Sequence, residues 1–204
     1  VRFESGSLDP DDDTHVSLSG ELDPVPAMEL LLESGADINT KDHLGRTTLH
    51  RLMDKTLSCD RDPLPIIRFL LEAGAEVDPQ DNEGQIPLML AMRARSLELV
   101  RLLLNSGADV NLVDQKGQTV LMYATDDAWD PESLIEVLNR GASINARNHR
   151  GETALSIAQW RESNVKFTNV LKNFGAENPL QKEIELRRAA KAGDRSRVQE
   201  MLEQ

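Results

Sequence analysis

Apolar residues recur at helical spacing in short blocks along the chain, and turn-forming residues separate the blocks. The pattern is clearest in residues 86–107, IPLMLAMRARSLELVRLLLNSG. Its apolar spacing of three and four predicts two short helices, each with one inward face. Pro87 suits the first turn of the first helix, because proline has no N–H to leave unpaired there. The positions expected to face inward are Leu88, Ala91, Val100, Leu103 and Leu104.

Each pair of predicted helices is followed by a dense group of turn signals. Gly107 can end the second helix in the left-handed conformation, and Val110 can then point inward. Asp114 and Gly117 can bracket a tight turn before the next helix. The same order recurs at Gly-Ala pairs that begin at residues 35, 74, 107, 141 and 175, with spacings of 39, 33, 34 and 34. A period of this length is typical of a solenoid, whose units bury their apolar faces against one another.

Helix starts align along the chain and divide it into units. An acidic segment, residues 1–13, precedes units near 14–46, 47–85, 86–118, 119–152, 153–183 and 184–204. A threonine hydroxyl is expected to cap the first helix of four units, at Thr14, Thr47, Thr119 and Thr153. Six extra residues lie between the two helices of the second unit, around 57–62. The last unit is expected to cap the array, with its helix starting near Ile184 and with Leu186, Ala189, Val198, Met201 and Leu202 facing inward.

These motifs resemble ankyrin repeats. The family's T-P-L-H-x-A stretch is matched by TTLHRL, IPLMLA, TVLMYA and TALSIA, which begin at residues 47, 86, 119 and 153. His50 keeps the family histidine, whereas Met89, Met122 and Ser156 replace it, so three hairpins are expected to lack one hydrogen bond. The resemblance implies an all-α solenoid of about six helix–turn–helix repeats with short β-hairpin fingers. It also implies that another protein binds the fingers and the concave face of the first helices.

Carried over by position, the resemblance gives a row of candidate partner-binding residues. Trp160 is expected to anchor the partner, so that Trp160→Ala weakens binding by about 2 kcal/mol or more and changes stability little. Tyr123 lies in the adjoining row of positions, where Leu90 and Ile157 are expected to serve packing instead. The candidate residues are His43, Leu44, Arg46, Arg93, Lys116, Tyr123, Asp126, Asp127, His149, Arg150, Trp160 and Arg161.

Charge and composition narrow the choice of partner. The net charge is −12, and residues 1–40 hold ten acidic residues but one basic residue, which would repel a phosphate backbone. Nucleic acid is therefore not an expected partner, and no apolar run is long enough to predict membrane insertion. A single cysteine, Cys59, fits a reducing compartment, so we expect an intracellular, cytoplasmic protein. We also expect a monomer. The chain starts with Val, as a fragment of a longer protein would.

The sequence gives weaker support for a metal site or a catalytic site than for the repeats. Asp9, Asp11 and Asp13 have the first three spacings of a calcium loop, but Thr14 and Gly20 stand where glycine and glutamate are needed. Cys59 and His50 lack a third group for nucleophilic catalysis. The sequence therefore predicts no catalytic, metal or cofactor residue and no enzyme activity. The alternative is that these repeats regulate a larger enzyme or recruit its substrate.

Overall fold

The computed structural model describes residues 24–55, 63–124, 131–160, 165–178 and 181–203. Within these ranges the chain is helical, as predicted, with one isolated antiparallel bridge between Val113 and Thr119. None of the described helices is long and apolar enough to cross a membrane. The helices are α1 Pro24–Glu33, α2 Thr48–Lys55, α3 Leu64–Glu72, α4 Pro87–Ala94, α5 Leu97–Asn105, α6 Val120–Tyr123, α7 Pro131–Asn139, α8 Ala154–Trp160, α9 Val165–Asn173, α10 Gln181–Lys191 and α11 Arg195–Glu203.

Several predictions fall on residues outside these ranges. They are the acidic segment with its calcium-loop pattern and Thr14, the extra residues 57–62 with Cys59, and the candidate binding residues Asp126, Asp127 and Arg161.

The chain divides into two compact units, Val1–Ala36 and Asp37–Gln204. The described part of the first unit is α1 and the turn that ends it, where the Gly35 N–H donates to Leu32 O at 2.9 Å. Leu30 and Leu31 on α1 are 65% and 60% exposed. The candidate binding residues all belong to the second unit.

Helices of the second unit pack in two layers. The first helices of successive repeats, α2, α4, α6, α8 and α10, lie side by side. The second helices α3, α5, α7 and α9 form the other layer, and each pair of helices within a repeat is also in contact. This alternation confirms the predicted repeat architecture, because each repeat packs on its neighbours in sequence.

Burial follows the apolar spacing of residues 86–107. Leu88, Ala91, Val100, Leu103 and Leu104 are all buried, as predicted. The whole of α4 from Pro87 to Met92 is buried as well, because α4 packs against α2, α5 and α6 at once. Each fully buried leucine contributes about 1.5–3 kcal/mol relative to an exposed one.

A glycine ends each second helix in the left-handed region, as the Gly-Ala period predicted. Gly107 has φ +93°, and its N–H donates to Leu104 O at 3.2 Å. The following Ala108 N–H donates to Leu103 O at 3.1 Å, so two carbonyls at the helix end gain partners. Val110 is then buried, in agreement with the prediction.

Four connecting turns precede the first helices, and an Asp or Asn side chain closes each of them. In the turn 114–118, Asp114 Oδ1 accepts the N–H of Lys116 at 2.8 Å and that of Gln118 at 2.7 Å. Gly117 completes the turn by donating its N–H to Asp114 O at 2.9 Å, so the predicted Asp–Gly bracket is confirmed. The residues that play the part of Asp114 in the turns 42–46, 81–85 and 148–152 are Asp42, Asp81 and Asn148.

The threonines before the first helices differ in what their hydroxyls bind. Thr153 Oγ1 accepts the Ser156 N–H at 3.2 Å, which confirms the predicted cap. Thr119 makes no side-chain cap, and its buried hydroxyl has no partner in the structure as described. The prediction is wrong at Thr119, where the Met122 N–H donates to the Thr119 carbonyl at 2.9 Å instead of to its hydroxyl.

The last unit contains the predicted helix pair, α10 and α11, with two differences. Helix α10 begins at Gln181, three residues before the predicted start at Ile184. Ala189 is buried and Leu186, Val198 and Met201 are half-buried, but Leu202 is 69% exposed, so its predicted inward position is wrong. Adjacent helical residues point about 100° apart, so Met201 and Leu202 cannot both face α10.

Candidate functional site

Backbone hydrogen bonds join the four connecting turns to one another. Each bond links the tip of one turn to the tip of the next, so the turns have a fixed register. The bonds run from Asn82 N–H to Leu44 O at 2.9 Å, from Gln115 N–H to Glu83 O at 2.9 Å, and from His149 N–H to Lys116 O at 3.0 Å. Equivalent side chains of successive turns therefore lie beside one another along one edge of the second unit.

A second ladder of hydrogen bonds uses side chains that the sequence interpretation missed. Asn39, Asp78, Asn111 and Asn145 each accept a backbone N–H from the next repeat, at 2.7–2.9 Å. Asn111 and Asn145 also donate to the carbonyl of the next Gly-Ala glycine, at 3.3 and 3.4 Å. The signal was present in the sequence, because these residues are spaced by 39, 33 and 34 positions, like the Gly-Ala pairs.

Asp78 is the exception in this second ladder. Its Oδ2 accepts the Asp109 N–H at 2.8 Å, but its Oδ1 is buried and has no partner among the residues described. Burial, and to a lesser degree the charge of Asp109, raises the pKa of Asp78 above its ordinary value, against the lowering effect of that N–H. A carboxylate here cannot donate as Asn111 does.

We therefore expect Asp78→Asn to raise the free energy of unfolding by about 1 kcal/mol at neutral pH, and Asn111→Asp to lower it by about as much. Urea unfolding measures both changes. Because the pKa of Asp78 is raised in the folded state, the parent protein should gain stability as the pH falls towards that pKa. The advantage of Asp78→Asn should shrink over the same range. Equal stability of Asp78→Asn and the parent would contradict this explanation.

A shallow pocket of about 220 Å³ brings together three candidate residues, Leu44, Arg46 and Arg93. Leu44 is 43% exposed at the tip of its turn, and Leu90 is buried. Packing therefore explains Leu90, as the sequence predicted. The remaining residues that line the pocket are Asp81, Asn82, Glu83 and Gln85.

Polar contacts hold both arginines of this pocket. The Arg46 guanidinium donates to Asp42 Oδ2 at 3.0 and 3.2 Å. The backbone N–H of Arg46 is the largest influence on Asp42, and together with this guanidinium it lowers the pKa of the Asp42 carboxyl to about 2. Arg93 Nη1 donates to Gln85 Oε1 at 3.4 Å. The pocket thus combines an apolar side chain with two positioned guanidinium groups.

Tyr123 braces the turn 114–118. It is half-buried against the core, and its hydroxyl donates to Asp114 Oδ2 at 2.9 Å. Burial raises the pKa of the Tyr123 hydroxyl, and its bond to Asp114 adds to that effect. Ile157 is likewise half-buried against the core, in agreement with its predicted packing role. A partner-binding role for Tyr123 stays a prediction.

Trp160 is half-buried at the end of α8. The Arg187 guanidinium carbon lies 3.8 Å from its ring centroid, and Trp160 Nε1 is buried without a partner in the described ranges. The neighbouring Arg188 donates to Gln159 O at 3.1 Å, so α10 contacts the end of α8 through two arginines. Nothing local in the sequence indicates the contact between Arg187 and Trp160. The anchor role of Trp160 stays a prediction.

Because Arg187 covers the Trp160 ring, we expect Trp160→Ala to lower the free energy of unfolding by about 1–2 kcal/mol, which replaces the small change in stability expected from the sequence. The ring packing and the cation–π contact are both lost. Trp160→Phe keeps a ring under Arg187 and removes the unpaired N–H, so it should stay within about 0.5 kcal/mol of the parent. Urea unfolding distinguishes the two variants, and an equal loss in both would mean that the indole nitrogen, not the ring, stabilises this end.

Lys116, His149 and Arg150 lie on the last two connecting turns, and all three are exposed. The His149 ring lies over Gly117, where an added Cβ would be 2.8 Å from His149 Cδ2. His43 is also exposed, and its carbonyl accepts Asn82 Nδ2 at 3.1 Å. The structure therefore places the described candidate residues in three groups. The first is His43 with the pocket residues Leu44, Arg46 and Arg93. The second is Tyr123 with Lys116, His149 and Arg150 of the last two turns, and the third is Trp160 alone, under Arg187.

A family model described as ankyrin repeats (3 copies) matches residues 15–114 and 56–148. The two matches together cover more than half of the chain. The chain belongs to the ankyrin repeat family. Comparison with curated proteins found no match. Ankyrin repeats are generally protein–protein interaction modules and are typically non-catalytic.

The ankyrin histidine joins two repeats in this chain. His50 is fully buried, and its Nδ1 accepts the Thr47 N–H at 3.2 Å. Since Nδ1 accepts, Nε2 carries the hydrogen and donates to Gln85 O at 3.0 Å, across the repeat boundary.

Ser156 replaces the ankyrin histidine in the repeat that contains α8. Ser156 Oγ accepts the Thr153 N–H at 2.8 Å, as His50 Nδ1 accepts that of Thr47. Thr153 Oγ1 donates to Glu177 O at 3.3 Å and so reaches the next connecting segment. The expected loss of a hydrogen bond at Ser156 is thereby offset by its neighbour.

Proposed function

We propose that the ankyrin unit Asp37–Gln204 binds a partner protein through its connecting turns and the first-helix layer, and performs no chemistry of its own. The observation that carries this proposal is the chain of backbone hydrogen bonds between successive turn tips. These bonds hold exposed side chains in register before a partner arrives. Less conformational freedom is then lost on binding than with mobile loops.

The side chains held in this way suit a protein surface. Leu44 presents exposed apolar area beside the guanidinium groups of Arg46 and Arg93, and arginine is enriched in protein interfaces. Tyr123 adds aromatic area behind the turn 114–118, and Trp160 adds it at the end of α8. Aromatic and arginine side chains commonly contribute most of the binding energy of an interface.

The test is an affinity capture with the immobilised chain, followed by mass spectrometry and by titration of each captured protein. One variant carries Leu44→Ala and Arg93→Ala at the pocket. The matched control carries Arg68→Ala and Lys172→Ala, two exposed positions on α3 and α9 of the second-helix layer. We expect the pocket variant to lower the affinity for the partner at least tenfold and the control to keep it.

Thermal unfolding of both variants shows whether the fold is intact. A partner that binds both variants as it binds the parent, or that is lost with the control alone, would place the interface elsewhere and overturn the proposal.

A further inference from the structure

The charge of the connecting segments changes along the ankyrin unit. At the third position of the four turns the residues are Leu44, Glu83, Lys116 and Arg150. The segment 76–85 holds four acidic residues and no basic one, whereas the segment 143–152 holds two arginines and one glutamate. Two adjacent basic tips therefore follow an acidic segment, in a chain whose net charge is −12.

The basic residues of the early and late turns also differ in their partners. Arg46 is paired with Asp42, and Lys41 Nζ donates to Gln80 O at 2.9 Å. Considering the described residues alone, the side chains of Lys116 and Arg150 make no ion pair or hydrogen bond. These two cations are exposed on turns whose backbones are fixed by the His149 N–H to Lys116 O bond.

Arg187 is a further exposed basic residue, on α10. Its guanidinium is stacked on Trp160 at 3.8 Å and is exposed, and no ion pair is present for it in the part of the chain that the structure describes. A guanidinium that stacks through its face keeps its N–H groups at the edge, where they match a carboxylate. The stack also limits the rotamers of Arg187 before binding.

We propose that the basic pair Lys116 and Arg150 receives an acidic segment of the partner polypeptide, with Arg187 available to a further carboxylate. This inference rests on the proposed function and names the chemistry of the partner at one end of the interface. Neighbouring helices pack roughly 8–10 Å apart, and an extended chain advances about 3.3 Å per residue. Carboxylates roughly three residues apart would therefore meet Lys116 and Arg150 in turn.

The neighbouring acidic segment argues for a polypeptide over a nucleic acid. Asp81 and Glu83 lie on the turn next to that of Lys116, and a phosphate backbone carries a charge on every nucleotide. A nucleic-acid strand that extends beyond the basic pair towards the turn 81–85 would meet these carboxylates. A polypeptide can confine its acidic residues to the two turns that attract them.

The test uses a fluorescent peptide of four Glu-Ser-Ser repeats and a matching Lys-Ser-Ser peptide, with binding followed by anisotropy. We expect the parent protein to bind the Glu peptide and to bind it more weakly as the salt concentration rises. The double variant Lys116→Glu with Arg150→Glu should lose at least tenfold in affinity. The matched control Arg68→Glu with Lys172→Glu changes the net charge equally on the second-helix layer, and it should stay within about threefold of the parent.

Four outcomes would overturn the inference. The first three are that the parent does not bind the Glu peptide, that both double variants lose affinity equally, and that the parent prefers the Lys peptide. The fourth is that an oligouridylate, tested in the same assay, binds the parent more strongly than the Glu peptide and loses that binding in Lys116→Glu with Arg150→Glu. The proposed function is judged separately, by the partner capture with the pocket variant. Suppose that the pocket variant loses the partner but the parent does not bind the Glu peptide. The inference of an acidic segment is then refuted, and the proposed function is not.

Discussion

Replacing Gly84 by alanine should lower the free energy of unfolding by about 3 kcal/mol or more. Gly84 has φ +77°, where a Cβ costs about 1–2 kcal/mol by itself. The added Cβ would also lie 2.8 Å from Gln115 N and 3.1 Å from Asp114 Cα, which are backbone atoms of the next turn. That turn cannot move away freely, because the Gln115 N–H is bonded to Glu83 O at 2.9 Å.

Gly151 provides the matched control for this substitution. It has the same place in its turn and φ +75°, but an added Cβ would meet nothing within 4 Å. Gly151→Ala should therefore show the conformational cost alone, about 1–2 kcal/mol. Urea unfolding of the two variants separates strain from the contact between turns, and similar losses at Gly84 and Gly151 would show that the close approach can be relieved.

Replacing His50 by alanine should lower the free energy of unfolding by about 3 kcal/mol. The substitution leaves a cavity in place of a fully buried ring and removes the ring's contacts with the Thr47 N–H and Gln85 O. A buried polar group that loses its partner costs about 1–3 kcal/mol, and the cavity adds to that cost.

His50→Met serves as the control, since Met89 and Met122 occupy the same position in the next two repeats and are buried there. Methionine restores most of the volume but donates no hydrogen bond, so we expect a loss of about 1–2 kcal/mol. Hydrogen exchange should show the amides of the turn 81–85 opening more readily in both variants. If His50→Ala costs less than about 1 kcal/mol, the bridge between the two repeats contributes little.

Regularities within one repeat could be predicted from the sequence. The inward faces of α4 and α5, the left-handed Gly107 and the Asp114–Gly117 bracket follow from local spacing and backbone preference. Asn39 and its equivalents were missed although they share the repeat period, because their bonds reach a residue more than 30 positions away.

Contacts that depend on two different repeats could not be predicted in the same way. The stacking of Arg187 on Trp160 brings together residues of α10 and α8, and no local pattern indicates it. The pocket likewise needs two turns and α4 to meet before Leu44, Arg46 and Arg93 become neighbours. Leu202 is an error of the opposite kind. Its spacing predicted an inward position, but α11 packs through other residues and leaves Leu202 exposed.

Because Trp160 lies under Arg187 of α10, tryptophan fluorescence can follow the docking of the last unit. The chain has two tryptophans, so Trp129→Phe leaves Trp160 as the single indole. Its emission then reports on the junction between α8 and α10, because separation of α10 would uncover the ring to water and shift the spectrum to longer wavelength. Comparing that signal with the circular dichroism of all the helices during unfolding would show whether the end of the array opens before its centre, with no added label.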